Sequence, residues 1–158
     1  MANRKYPYYP AYDGKQASEV ILRLVDLCHK RWGTTNLGTY VNRDMRDKPG
    51  EKSVHATGYA ADIGYTDEAQ ARIIWDYFVL NSKALGVVEV HWYRYGRNKG
   101  KFGAGYRCSR GEGRDGVKIY ETAAESAGTG GAWLHIELEE PKGGVDKWEE
   151  VFRATKPA

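Results

Sequence analysis

The residues best suited to chemistry lie in two stretches, Ser53-Val54-His55-Ala56-Thr57-Gly58-Tyr59-Ala60-Ala61-Asp62-Ile63-Gly64 and Ala132-Trp133-Leu134-His135-Ile136-Glu137. His55 and Asp62 stand seven positions apart with a glycine and small residues between them, and His135 falls in an apolar run with strand character. Two imidazoles and one carboxylate form a common catalytic zinc set, with the fourth position left to water. On a strand, Asp62 shares a face with Ala60 while Ala61 and Ile63 point into the core. Gly58 permits a sharp turn ahead of that strand, which could fold His55 back beside Asp62. Ala60 leaves room above a metal. The His-to-Asp spacing alone fits a capped turn and an ordinary strand; Ser53, Gly58, Ala60 and His135 taken together favour a site.

The pattern Ser-x-His-x-x-Gly-x-Ala-x-Asp, carried by Ser53, His55, Gly58, Ala60 and Asp62 and followed by a tryptophan and histidine on a late strand, resembles the D-Ala-D-Ala metallopeptidases. These belong to the wider zinc fold that includes lysostaphin-type enzymes and the hedgehog signalling domain. The resemblance spans roughly residues 18 to 140; its first motif is specific and its second is degraded. It implies zinc held by His55, Asp62 and His135, and a substrate-peptide contact from Ser53. It also implies an arginine upstream of the motif that stabilises the substrate carbonyl oxygen as charge develops. Arg43 is the first candidate for that role and Arg46 the reserve. A surface arginine paired with Asp44 or Asp47 is the ordinary alternative for either.

One position departs from the family. Relatives place a general-base glutamate three residues before the last zinc histidine, where this chain has Ala132, or a histidine two before, where it has Trp133. Three accounts remain open. Glu137, two residues after His135, shares its strand face and could carry the proton. Glu125 or His91 could fold in instead. Otherwise the metal is kept and peptidase activity is lost, since removal of a general base costs on the order of 10²–10⁴-fold.

The elements that must position these residues read as follows. Residues 1–17 form an extended arm rich in tyrosine and proline, and residues 18–158 a single domain. Ser18 looks like the cap of a helix whose stripe is Ile21, Leu24, Val25, Cys28 and Trp32, ended by Gly33. His29, near that end, reads as structural. A strand is expected over 37–43, a charged loop over 44–50 and a strand at the first motif. A helix capped by Thr66 or Asp67 should run to about Ser82, burying Ala71, Ile74, Trp75 and Phe78. A strand then covers 87–94, with Val88, Val90 and Trp92 on one side and Glu89, His91 and Tyr93 on the other. His91 is a candidate acid/base or substrate contact if that second side faces the site.

Residues 96–116, with seven glycines among arginines and lysines, predict a long irregular loop. No strand–helix context there supports a phosphate-binding glycine motif. Short strands over 117–120 and 133–139 flank a loop over 122–131, and Asp146 should cap a closing helix with Trp148, Val151 and Phe152 buried. The whole is an α+β domain, a mostly antiparallel sheet with helices on one side.

With 24 basic against 21 acidic residues the charge is near balance, and no nucleic-acid motif appears. No apolar run approaches membrane-spanning length and the N-terminus lacks a signal-peptide core. Cys28 lies on the apolar helix face, so buried free thiols are expected rather than a disulfide with Cys108. The expected protein is a monomeric zinc peptidase that is made in the cytoplasm and hydrolyses stem or cross-bridge peptides of bacterial peptidoglycan, with a phage-lysin setting and phage-mediated release. The alternative is a catalytically inactive, zinc-stabilised binding or virion structural module that recognises wall peptide or a protein partner.

Overall fold

The computed structural model describes residues 3–12, 14, 16–45, 48–95, 102–122, 125 and 131–155. Helix α1, Glu19–Trp32, buries Val20, Ile21, Leu24, Leu27 and Cys28 on one face. It stops at Gly33, whose φ of 72° brings its N–H back to the His29 carbonyl. Ser18 precedes the helix but does not cap it. Its hydroxyl donates to the Gly58 carbonyl at 2.7 Å and so ties the helix start to the turn that carries His55.

Strand β1 covers Thr35–Gly38, shorter and earlier than the 37–43 strand expected. An exposed hairpin of β2, Asp44–Met45, and β3, Lys48–Lys52, replaces the expected charged loop; its side chains give no apolar pattern from which a strand could be inferred. Strand β4 is Ala60–Gly64. Helix α2, Glu68–Leu80, is capped by Asp67, whose carboxylate accepts from the Gln70 N–H at 2.8 Å. Strand β5, Val87–Trp92, is followed by β6, Ala104–Arg107, and β7, Val117–Ile119. Strand β6 sits inside the glycine-rich stretch predicted as irregular: Ala104 and Tyr106 are fully buried, and Gly105 between them faces the other way. Strand β8, Trp133–Leu138, and helix α3, Val145–Ala154, complete the chain. Gly144, not Asp146, occupies the α3 cap position, and Asp146 falls in the first turn, where a negative charge suits the helix dipole.

The sheet runs β1-β4-β8-β5-β6-β7 with every neighbouring pair antiparallel. On one face Ala61, Ile63, Val90, Leu134 and Ile136 join the three helices in a single apolar core. The period of two then sends the alternate residues to the opposite face. There the register places Asp62, His135, His91 and Gly105 side by side across four strands, and beside them a second row of Ala60, Glu137, Glu89 and Arg107. The α+β architecture with a largely antiparallel sheet is thus observed. Cys28 and Cys108 are buried free thiols. Among the described residues, no helix is long and apolar enough to cross a membrane.

Candidate metal centre

His55 lies on a short helical turn, Val54–Thr57, between β3 and β4. Ser53 heads this turn and its Oγ accepts from the His55 N–H at 3.3 Å. Gly58 closes it with φ 81°, where a Cβ would also meet the Tyr12 ring at 2.9 Å. The reversal carries His55 back over β4, so that its Nε2 lies 3.3 Å from Asp62 Oδ2. On the other side of the same carboxylate, His135 Nδ1 lies 3.0 Å from Asp62 Oδ1. The two imidazoles meet edge to face, with ring centroids 5.1 Å apart. His55, Asp62 and His135 therefore offer ligand atoms that all lie within 4.8 Å of one another, a group that could hold a metal ion.

The hydrogen bonds behind the ligands test that fit. His55 Nδ1 faces the Thr39 carbonyl oxygen at 2.7 Å; a carbonyl only accepts, so Nδ1 carries the proton. Nε2 is then the nitrogen turned toward Asp62, with its lone pair open to a metal cation. His135 is braced in the same manner, with Nε2 2.9 Å from Glu137 Oε2 and Nδ1 left toward Asp62. A carbonyl behind one imidazole and a carboxylate behind the other is the outer-shell arrangement that fixes ring orientation in metal sites.

Burial by itself would raise the Asp62 pKa, but the hydrogen bonds from His135 and His55 outweigh it and hold the carboxyl well below the usual range. Burial would lower the His135 pKa, yet its bonds to Asp62 and Glu137 push it up to about 10. In the metal-free protein His135 is therefore an imidazolium between two carboxylates.

A second group adjoins the first. Glu89, His91 and Glu137 also bring their ligand atoms within 4.8 Å of one another. His91 Nε2 is 3.1 Å from Glu89 Oε2, and Arg107 Nη1 donates to Glu89 Oε1 at 2.6 Å. Burial raises the Glu89 pKa, but His91 and Arg107 bring it down to about 2. Glu137 moves the other way, first through burial and then through the Glu89 charge beside it, against the His135 bond. The far nitrogen of His91, Nδ1, meets the Tyr120 hydroxyl. That contact depends on Gly105, because a Cβ there would lie 1.8 Å from the Tyr120 oxygen.

The remaining sequence candidates fall as follows. Arg43 is exposed and lines the cleft that holds the site, its guanidinium donating to the Asp44 carbonyl at 3.2 Å. Ser53 lines the same cleft but is buried, its hydroxyl turned to the His55 N–H. Arg46 lies outside the described residues. Glu137, a candidate proton carrier, has both oxygens engaged: Oε2 with His135 Nε2, and Oε1 with the Tyr6 hydroxyl at 2.6 Å. Glu125 pairs with Lys118 and does not line the cleft. Ala132 is exposed, and its carbonyl accepts from the Tyr65 N–H.

Sequence reasoning leaves out Thr39, Arg107, Tyr120 and Tyr6. The first acts through its backbone, which carries no residue signature. Arg107 and Tyr120 are placed by the β5–β6–β7 register, which is hidden because the glycines around β6 predict a loop. No protein-family model, curated protein or solved structure matches the chain.

Proposed function

We propose that the chain is a zinc-dependent peptidase acting on bacterial wall peptides, with His55, Asp62 and His135 as its ligands. The observation that carries this reading is the shared carboxylate: two braced imidazoles approach the two oxygens of Asp62 at 3.3 and 3.0 Å. The three residues line a cleft of about 1100 Å³, ample for a peptide. Two nitrogens and one carboxylate suit zinc and leave a position open to substrate and water. Bound zinc would polarise the scissile carbonyl and make water a nucleophile near neutral pH. The choice of wall peptide as substrate, and a phage-lysis setting with it, rests on the Ser53-to-Asp62 motif and its resemblance to D-Ala-D-Ala metallopeptidases.

The chain's own groups divide the remaining work. Thr39 and Glu137 hold the two ligand imidazoles. Ser53 supports the His55 turn from within and lines the cleft. Arg43 lines the cleft as a cation that can steady the carbonyl oxygen as it gains charge. The proton of hydrolysis is assigned to His91, which lines the cleft with its ring centroid 5.4 Å from that of His135 and is held at Nε2 by Glu89. His91 and Arg107 keep Glu89 ionised, so its carboxylate stays bound to the His91 ring while the proton returns to the leaving amine.

The test is release of new amino groups from purified peptidoglycan by wild type, His135→Ala and His91→Ala, with metal content measured for each. Cleavage that is lost in both variants, while His91→Ala keeps its zinc, supports the assignment. Cleavage by His91→Ala at the wild-type rate removes His91 from the mechanism. The exposed Ala132, at the position where relatives keep a base, favours one other reading, a zinc-stabilised module that binds wall peptide without cutting it. Full zinc with no amino groups released by the wild type would establish that reading instead.

A further inference from the structure

The N-terminal arm is joined to the candidate metal centre. Tyr6 donates its hydroxyl to Glu137 Oε1 at 2.6 Å, and Glu137 holds His135 through its other oxygen at 2.9 Å. The Tyr6 ring lies under the Arg107 guanidinium, whose central carbon is 4.0 Å from the ring centroid, and that same guanidinium binds Glu89. Tyr6 thus reaches Glu137 directly and Glu89 through Arg107, without touching any ligand atom of the His55–Asp62–His135 group.

The arm is held by more than this one bond. Arg4, two residues earlier, donates from Nε to Glu112 Oε1 at 2.6 Å and from Nη2 to the Val87 carbonyl at 2.5 Å. Its Nη1 lies 3.2 Å from Glu139 Oε1. Asn3 donates to the carbonyls of Ser109 and Arg110. Farther along, Tyr9 stacks on Tyr59 at 4.1 Å and accepts from the Glu140 N–H, while the Tyr12 N–H reaches the Ala56 carbonyl. An extended peptide with no secondary structure of its own is thereby fixed at both ends, with Tyr6 between the anchors. Ordering a backbone segment costs on the order of 1–2 kcal/mol per residue, and this density of polar and ring contacts offsets it.

We propose that Tyr6 is a positioning residue of the metal centre. It acts through Glu137 to hold His135, and Arg4 is the clamp that delivers it. This rests on the metal reading of His55, Asp62 and His135 given above. A hydroxyl donated to Glu137 fixes the carboxylate's rotation, so that Oε2 stays on the His135 Nε2–H and Nδ1 stays turned toward Asp62. Without it, the buried Glu137 loses the partner of Oε1 and is free to rotate off His135 toward Glu89.

The experiment compares zinc affinity by chelator competition for wild type, Tyr6→Phe, Glu137→Ala and the double variant. Outer-shell partners of metal ligands change affinity by about 10–100-fold, so Glu137→Ala should fall within that range and Tyr6→Phe, one bond more remote, near its lower end of about tenfold. In the Glu137→Ala background Tyr6→Phe should have no further effect, because the route through Glu137 is gone. A second readout is the visible spectrum of the cobalt(II)-loaded protein, which should shift in Tyr6→Phe and keep the proposal testable if Glu137→Ala fails to fold. Equal affinity and an unchanged spectrum for Tyr6→Phe would overturn the role of Tyr6 while leaving the metal reading intact. A tenfold loss that persists undiminished without Glu137 would show a merely structural arm. A wild type that binds neither metal overturns both.

Discussion

In the metal-free protein His135 is held as an imidazolium, its pKa pushed up to about 10 by Asp62 and Glu137 against the opposing effect of burial. At pH 7 this favours the protonated form. Coordination through Nδ1 requires that nitrogen's lone pair, whereas Nε2–H can stay on Glu137. One proton must therefore leave for each ion bound. Asp62 adds none, because it is already ionised at neutral pH. The assay is isothermal titration of zinc at pH 7 in buffers of different ionisation enthalpy. A plot of observed enthalpy against buffer enthalpy should have a slope near one proton, and apparent affinity should climb about tenfold per pH unit between pH 6 and 9. The metal-free protein should behave oppositely. Since the His135 pKa is raised above its unfolded value of about 6.5, its pairing stabilises the fold below that pH, and the contribution is lost as pH rises through about 10. Zinc binding with a slope near zero, at unchanged affinity across that range, would refute the imidazolium bridge.

Other perturbations have equally defined outcomes. Gly105→Ala places a Cβ 1.8 Å from the Tyr120 oxygen and 3.0 Å from His91 Nδ1, so Tyr120 must swing out. Overpacking of this kind costs about 1–3 kcal/mol, seen as a lower denaturation midpoint, and cleavage should fall more than zinc content does. Ser53→Ala removes the cap of the His55 turn, whose 3.3 Å bond is long; about 0.5–1 kcal/mol of stability should be lost on chemical denaturation. Glu89→Gln should abolish peptide cleavage while leaving one zinc per chain, as measured by metal analysis of the purified variant. Acidification should weaken the Arg107–Glu89 pairing only near pH 2–4, because Glu89 is depressed to about 2 and its contribution is lost as pH falls through that value.

The alternation in Ala60–Gly64 and Trp133–Leu138 makes the site legible in the sequence. Ala61, Ile63, Leu134 and Ile136 could only face a core, which leaves Asp62, His135 and Glu137 together on the other side. Helices α1 and α2 announce themselves through apolar spacing and the Gly33 and Asp67 signals at their ends. Strand β6 does not, because Gly103 and Gly105 read as breakers while one serves a positive φ and the other makes room for Tyr120. The hairpin of β2 and β3 is largely exposed, so no burial pattern marks it. The arm's role is invisible for a different reason. Tyr6 meets Glu137 across 131 residues of sequence, and the docking of Arg4 and Tyr9 on either side of it fixes where the tyrosine falls.

The most direct test of the central claim is equilibrium dialysis of the purified, chelator-stripped protein against zinc, counted per chain for wild type and for His55→Ala, Asp62→Ala and His135→Ala. The account predicts one tightly bound ion in the wild type and its loss in each variant, with the fold retained by circular dichroism. A wild type that takes up no zinc, or variants that each keep a full equivalent, would contradict it.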